Sequence, residues 1–240
     1  MKKLTYKVLF TILLATSILQ GQGNDYIIGA SGNYIFPLGE MSNRFKNTAG
    51  GSIYFGKRIS TSFSWIAKFN YMKFDELNNE KLTKKISAEI DQKKMIFDVP
   101  LKEIGDFSMD FESFGISVEA KMDIINSEFI NTSFLMGFGF YKWEFNRSAL
   151  AGNVFVDPDN DGSQISINEL NVPGSFQEDW SGQINAGLEV SIKLTGNFWL
   201  NCNGSYTLVL GELWPALSLD MGNVSGIQML EAKAGLRYCF

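Results

Sequence analysis

The segment WSGQINAGLEVSIKL, Trp180–Leu194, alternates between polar and apolar residues along its whole length. One face carries Ile184, Ala186, Leu188, Val190, Ile192 and Leu194, and the other carries Ser181, Gln183, Asn185, Gly187, Glu189, Ser191 and Lys193. A period of two is that of a β-strand, because successive side chains point to opposite faces of the sheet. The segment also exceeds the about 9–11 residues that a tilted strand needs to cross a bilayer.

Seven further segments follow the same pattern. They are Asp25–Leu38, Thr48–Lys57, Ser62–Phe74, Phe111–Ile125, Asn131–Phe145, Asn197–Leu210 and a last strand from about Ile227. This last strand ends in LEAKAGLRYCF, in which charged residues alternate with leucine, alanine and aromatic residues. Strands in globular proteins average about 5–6 residues, so eight long ones predict an all-β, antiparallel, up-and-down barrel that spans a membrane.

The connections between these strands alternate in length. Strands 2–3, 4–5 and 6–7 are joined by RIST, NSEFI and Gly196, whereas strands 3–4 and 5–6 are separated by about 75–110 and 146–179. Short turns at one end and long loops at the other are typical of outer-membrane barrels. The pattern predicts short periplasmic turns, long extracellular loops and both termini in the periplasm.

Nine charged residues fall on the polar sides of the strands. They are Lys68, Glu119, Lys121, Asp123, Glu189, Lys193, Glu231, Lys233 and Arg237. Eight strands enclose an interior just wide enough for side chains. Unpaired charges there would be too costly, so we expect a paired network that fills the lumen. The alternative is a solvated face of a soluble sheet.

A soluble, lipocalin-like barrel has the same alternation with its faces exchanged. Aromatic residues near the strand ends (Phe140, Phe198, Tyr238 and Phe240) argue for the membrane alternative, because such residues form girdles at membrane interfaces. The asymmetric turns argue in the same direction.

Residues 1–23 have the pattern of a cleaved secretory signal peptide, with three lysines before an apolar run from Val8 to Leu19. The run is shorter than the ~20 residues of a spanning helix. We therefore expect residues 24–240 to form the mature barrel domain. The full chain has 21 basic and 26 acidic residues, and the leader contributes no acid, so nucleic acid is an unsuitable partner.

With its eight strands, its loop pattern and its terminal aromatic residue, the chain resembles the outer-membrane barrels of the OmpX and OmpA transmembrane-domain type. It is most similar to the "outer membrane protein beta-barrel domain" chains of Bacteroidota-like bacteria. The resemblance implies a location in the outer membrane of a Gram-negative bacterium. It also implies that the barrel-insertion machinery reads the last strand, here at Tyr238 and Phe240. The roles of such barrels include surface adhesion, resistance to host factors and envelope support.

The sequence contains no histidine. This excludes Ser/His and Cys/His nucleophiles and histidine-ligated metals, so we expect no enzymatic activity. The two cysteines, Cys202 and Cys239, lie on neighbouring strands but on opposite faces by parity. Their Cβ atoms would point apart, and we expect free thiols.

One metal-like motif occurs in the second long loop. DPDNDG places Asp157, Asp159 and Asp161 at alternate positions before a glycine, as in a calcium loop, but position twelve is Asn168 instead of an acid. Calcium is the candidate cofactor of the chain. The alternative is the tip of a hairpin, since Asn, Asp and Gly favour turns.

The first long loop contains Leu82, Ile86 and Ile90 at spacings of four, with Glu80/Lys84 and Glu89/Lys93 pairs. This spacing predicts a short helix that caps the barrel mouth. A basic surface for anionic lipopolysaccharide is the alternative.

The favoured function is a non-enzymatic barrel in contact with outer-membrane lipids, whose loops bind an extracellular or envelope partner or support the envelope. The alternatives are a small diffusion channel or transporter, an accessory subunit of a secretion or motility complex, and a soluble ligand-binding barrel.

Overall fold

The computed structural model describes residues 26–90, 93–157, 164–213 and 224–240. The signal peptide predicted for residues 1–23 lies outside this part. The described chain is all-β and antiparallel, as expected. Its strands are β1 (Tyr26–Pro37), β2 (Thr48–Ser60), β3 (Phe63–Phe74), β4 (Thr83–Ile90), β5 (Lys93–Pro100), β6 (Met109–Asn126), β7 (Ile130–Arg147), β8 (Leu150–Val156), β9 (Ile165–Val172), β10 (Ser175–Thr195), β11 (Phe198–Leu213) and β12 (Val224–Cys239).

Eight of these strands pair into one closed barrel, in the order β1-β12-β11-β10-β7-β6-β3-β2. The barrel closes where β1 pairs with β12, from Ile27 opposite Cys239 to Pro37 opposite Met229. The backbones of Tyr26 and Phe240 exchange two hydrogen bonds of 2.9 Å at the end of this seam. Closure leaves the main sheet without a free edge.

The two ends of the barrel differ. At the turn end, short connections join β2 to β3, β6 to β7 and β10 to β11, and the last of these turns at Gly196 with a φ of 51°. At the loop end lie two hairpins, β4–β5 and β8–β9, and two short helices, α1 (Glu40–Arg44) and α2 (Leu101–Ile104). None of the described helices is long and apolar enough to cross a membrane.

The helix predicted for the first long loop is wrong. Residues 83–90 form β4, which pairs with β5 from Thr83 opposite Pro100 to Ile90 opposite Lys93. A spacing of four is also a multiple of the strand period of two, so Leu82, Ile86 and Ile90 share one face in a strand as well. The alternating Met95, Phe97 and Val99 of β5 supply a partner for that face, and cross-strand pairing overrides the local helical pattern.

The hairpin alternative for the second long loop fits the structure. β8 pairs with β9 from Leu150 opposite Val172 to Val156 opposite Ile165, with a register shift between Val154 and Phe155. Asp157 follows β8, whereas Asp159 and Asp161 lie outside the described residues. The calcium site therefore stays a prediction.

Candidate functional site

A layer of buried charged side chains crosses the middle of the barrel. Seven of the nine predicted lumen residues belong to it: Lys68, Glu119, Lys121, Glu189, Glu231, Lys233 and Arg237, each at most 8% exposed. They come from strands β3, β6, β10 and β12, in which every second residue faces inward. The alternation in sequence therefore places them on one side of the wall.

Two of the ion pairs in this layer join one lysine to one glutamate. Lys68 Nζ lies 2.6 Å from Glu119 Oε2, and Lys233 Nζ lies 3.0 Å from Glu231 Oε2. Neighbouring polar groups complete the solvation of each carboxylate. Asn185 donates to Glu119 over 2.7 Å, and Thr207 donates to Glu231 over 2.5 Å. Each buried charge thus has the hydrogen-bonded partner that such burial requires.

Glu189 bridges two cations. Its Oε1 atom lies 2.5 Å from Lys121 Nζ and 3.2 Å from Arg237 Nη1, and it also accepts a hydrogen bond of 3.0 Å from Ser191 Oγ. The carboxylate is the shared partner of side chains from three strands, β6, β10 and β12. Loss of this one group would leave two cations in a water-poor interior.

The other two predicted residues lie outside this layer. Asp123 and Lys193 are half-buried, near the turn end of the strands. Asp123 accepts a hydrogen bond of 2.7 Å from Ser133 Oγ. Both residues lie on the inward-facing side of their strands, as the sequence predicted. They are close to the ends of these strands, however, and are therefore more exposed to solvent than the middle layer.

Apolar side chains close the charged layer at the turn end. Ile27, Tyr54, Ile66 and Cys239 form a buried cluster against which Trp199 packs. The Arg237 guanidinium lies 5.3 Å from the centre of the Trp199 ring, and Tyr54 donates to Asn201 Oδ1 over 3.2 Å. Such packing excludes water and strengthens the electrostatic attraction within the layer.

A larger apolar core closes the layer at the loop end. Interior residues of the barrel strands, such as Phe74, Phe111 and Trp143, pack with residues of the helices and hairpins, such as Met41 and Leu150. Trp143, which is 1% exposed, donates to Ser181 Oγ over 2.9 Å and so links this core to the polar wall. The loops are therefore packed into the mouth of the barrel.

Charged groups at the loop end behave differently from those in the middle layer. Lys46 donates to Glu76 over 2.6 Å at the surface, and this hydrogen bond raises the pKa of the lysine. Arg44 of α1 is buried and lies 3.8 Å from Glu40, and burial lowers its pKa. The Lys46–Glu76 pair connects the β1–β2 loop to the segment that follows β3, whereas the Arg44–Glu40 pair lies within α1.

The charged layer has little free space. A cavity of about 10 Å³ lies among its side chains, lined by residues that include Lys68, Glu119, Asn203 and Lys233. That volume suits about one water molecule. Chemically, the arrangement can hold the strands in register through paired charges.

The outside of the barrel is apolar. Large hydrophobic side chains are exposed on all eight barrel strands, among them Ile28, Ile53, Phe69, Ile116, Phe138, Leu188, Tyr206 and Leu236. Near the turn end, the ring of Tyr238 lies 5.8 Å from that of Phe240 and 4.9 Å from that of Phe198. Near the loop end, Lys142 pairs with Glu144 over 3.2 Å and with Glu178 over 3.6 Å on the outer surface. This polar group lies on the outer surface towards the loop end of β7 and β10, next to the exposed Trp180.

Some residues of the site escaped the sequence analysis. Three of them are Tyr54, Asn201 and Thr207, which lie at inward-facing positions of their strands. The alternation of the sequence could have indicated this position, but not their hydrogen-bond partners, which lie on other strands. The apolar core at the loop end was also missed, although Phe111 and Phe145 have inward parity.

The free thiols are confirmed, with Cys202 exposed and Cys239 buried. Within the described ranges, no group of three or more His, Cys, Asp or Glu side chains could hold a metal ion.

The comparisons with solved structures concern the fold. The major outer membrane protein of Thermus thermophilus superposes with a TM-score of 0.50 at 9% identity, over 90% of this chain and 99% of that chain. Neisserial surface protein A gives 0.46 at 15% identity, over 90% and 97%. The attachment invasion locus protein Ail of Yersinia pestis gives 0.40 at 14% identity, again over 90% and 97%. Neither a family model nor a curated protein matches the sequence.

The chain therefore has the fold of outer-membrane β-barrel proteins, and at these identities the likeness extends to the fold alone.

Proposed function

We propose that this protein is a non-enzymatic, non-conducting barrel of the outer membrane of a Gram-negative bacterium. It acts through its loop end, in surface interaction or envelope support. The observation that carries the proposal is the inverted polarity of the barrel, with charges buried inside and large apolar side chains exposed outside. In water this arrangement would be costly on both sides, whereas a bilayer solvates the outer face.

The unequal ends of the barrel support a proposed orientation in the membrane. The termini and the short turns face the periplasm, and the β4–β5 and β8–β9 hairpins face the exterior, as is usual for bacterial barrels. The exposed Tyr238 lies near the end of β12, Phe240 directly follows this strand, and their rings are in contact. We assign both residues to recognition by the barrel-insertion machinery. This assignment rests on the resemblance to barrels with a terminal aromatic residue.

The hairpins carry the features of an interaction surface. Ile96 of β5 is 69% exposed, and Phe155 of β8 and Phe176 at the start of β10 are also exposed. Ile96 and Phe155 belong to the two hairpins, and Phe176 lies nearer the loop end of β10 than Trp180, the register partner of Lys142. Exposed apolar residues on loops that are packed against the barrel mouth suit a partner protein of the envelope or the cell exterior.

The packed interior opposes a diffusion channel. A cavity with room for about one water molecule does not provide a path for solutes. A purified, reconstituted barrel should give no stable conductance steps in a planar bilayer. Reproducible steps would contradict the non-conducting part of the proposal and leave the membrane part intact.

The first experiment is gel mobility of the refolded mature chain in detergent, boiled against unboiled, together with fractionation of expressing cells. We expect a mobility shift on boiling and recovery with the outer membrane. A chain that folds without detergent and stays in the aqueous fraction would replace the proposal with a soluble barrel. A pull-down that returns a stable complex of secretion or motility proteins would favour the accessory-subunit alternative.

A further inference from the structure

An apolar groove runs along the outer face of the barrel near its seam. It has a volume of about 460 Å³, and its walls include Ile28, Phe55, Leu236 and Tyr238 around the small side chain of Ala30. A volume of this size lies within the range of about 300–1,000 Å³ that is common for sites of small molecules.

The groove arises from the register of neighbouring strands. Ala30 of β1 lies opposite Ile53 of β2 on one side and opposite Leu236 of β12 on the other. A methyl group between two long side chains leaves a depression. A second groove of about 460 Å³ adjoins it, lined by Ala30, Ile53 and Phe69 and extending over Gly51 towards the loop end. The two depressions form one continuous surface, which we call the seam groove.

A positive charge lies at the turn end of the seam groove. Lys57 has the same outward parity as Phe55 and is exposed, and its register partner is Tyr26. Its Nζ atom lies 5.4 Å from the centre of the Tyr26 ring. In the described part of the chain no ion pair involves Lys57. The ammonium is therefore available to an anion at the level of the aromatic girdle.

We propose that the seam groove holds one diacyl phospholipid of the periplasmic leaflet. The acyl chains lie in the two adjoining depressions over Ala30, and the headgroup phosphate binds Lys57. The charge complementarity between the phosphate and this lysine selects a phospholipid as the occupant, since a second copy of the chain would place Lys57 against Lys57 in a two-fold arrangement. The inference rests on the proposed membrane location and orientation.

The test is native mass spectrometry of the barrel released from detergent that contains phosphatidylglycerol. The wild type should retain one phospholipid per barrel. Ala30→Leu fills the groove and should lower retention about tenfold, by excluding an acyl chain from its apolar contacts. Lys57→Gln should lower it about fivefold, because a cation near anionic headgroups contributes about 1 kcal/mol.

Two matched variants serve as controls. Ala186→Leu makes the same change at an exposed, outward position of β10, and Lys142→Gln removes an exposed lysine at the loop end. Both should retain phospholipid as the wild type does. All four variants should show the mobility shift on boiling, which reports a folded barrel independently of the bound lipid.

Three results would overturn the inference. An inserted wild type without retained phospholipid would do so, as would equal retention by wild type and Ala30→Leu. A dimer that Ala30→Leu dissociates would assign the seam groove to a second copy. If the wild type failed to insert into vesicles at all, the proposed function itself would fall, and the inference with it.

Discussion

The barrel interior contains two regions with opposite chemistry on the same face of the same strands. In the middle, charges such as Glu189 and Lys121 pair at short distances, and towards the loop end, apolar side chains such as Phe111 and Trp143 pack with one another. The apolar region gains stability from each contact it makes. The charged region is stable only while each charge keeps its partners, because ion pairs and hydrogen bonds offset the cost of burying an ion.

The two regions of the barrel interior also have different structural roles. The charged layer connects strands that are distant in sequence, and its specific pairs distinguish the correct register from a shifted one. The apolar region attaches the α1 helix and the β8–β9 hairpin to the barrel. We therefore expect substitutions in the first region to affect the barrel as a whole, and substitutions in the second to affect the loops.

The largest effect is expected for Glu189→Gln. This change leaves the Lys121 and Arg237 cations without their shared carboxylate and should lower the free energy of unfolding by about 3–5 kcal/mol. Urea unfolding of the barrel in lipid vesicles, monitored by tryptophan fluorescence, measures this change in free energy. A loss below about 1 kcal/mol, the value of an exposed pair, would show that the layer does not depend on pairing.

Leu150→Ala tests the apolar region. Leu150 of β8 is 0% exposed, and its truncation should cost about 3 kcal/mol within the range for buried leucine. The effect should appear as faster proteolysis within the 146–179 segment, while the boiling shift of the barrel persists. The exposed Ile165 of β9 is the control, and Ile165→Ala should change cleavage little. Loss of the barrel itself in Leu150→Ala would contradict the division of tasks.

Trp143→Phe examines the contact between the two regions. The variant removes the indole N–H that donates a hydrogen bond to Ser181 Oγ and leaves the buried hydroxyl without this donor. We expect the free energy of unfolding to fall by about 1–2 kcal/mol. Ser181→Ala removes the other partner. If the hydrogen bond contributes as expected, the double variant should cost less than the two single variants together, and strict additivity would argue against it.

The smallest effect is expected for Glu178→Gln. Glu178 lies 3.6 Å from Lys142 on the outer surface, where both side chains are exposed, so the loss should stay below about 1 kcal/mol and shrink at high salt. Urea unfolding at low and high salt checks it. If Glu178→Gln lowered the free energy of unfolding as much as Glu189→Gln, burial inside the barrel would not determine how much a charge pair contributes to stability.

The local pattern of the sequence anticipated much of the barrel. The period of two in Trp180–Leu194 recurs as β10, and the inward parity of Glu189 follows from it without any further information. The same argument holds for Glu231, Lys233 and Arg237 on β12. Parity is a local property of a strand, so a sequence displays it directly.

Local sequence patterns did not predict the structure correctly where a segment's conformation depends on pairing or packing with a second segment. Leu82, Ile86 and Ile90 fit a helix and a strand equally well, and pairing with β5 selected the strand. The apolar residues of the loop end were not recognised as a core either. Phe111 and Phe145 continue the inward faces of β6 and β7, but their burial requires the helices and hairpins to pack over them.

The sequence by itself thus determined the long strands, the two faces of each strand and the unequal lengths of the connections, because these depend on residue order alone. Only the tertiary structure decided the register in which β1 pairs with β12, that Lys68 pairs with Glu119 and Lys121 with Glu189, and that the loops fill the barrel mouth. These features join residues from different strands. Their energies depend on register and closure, which no single segment contains.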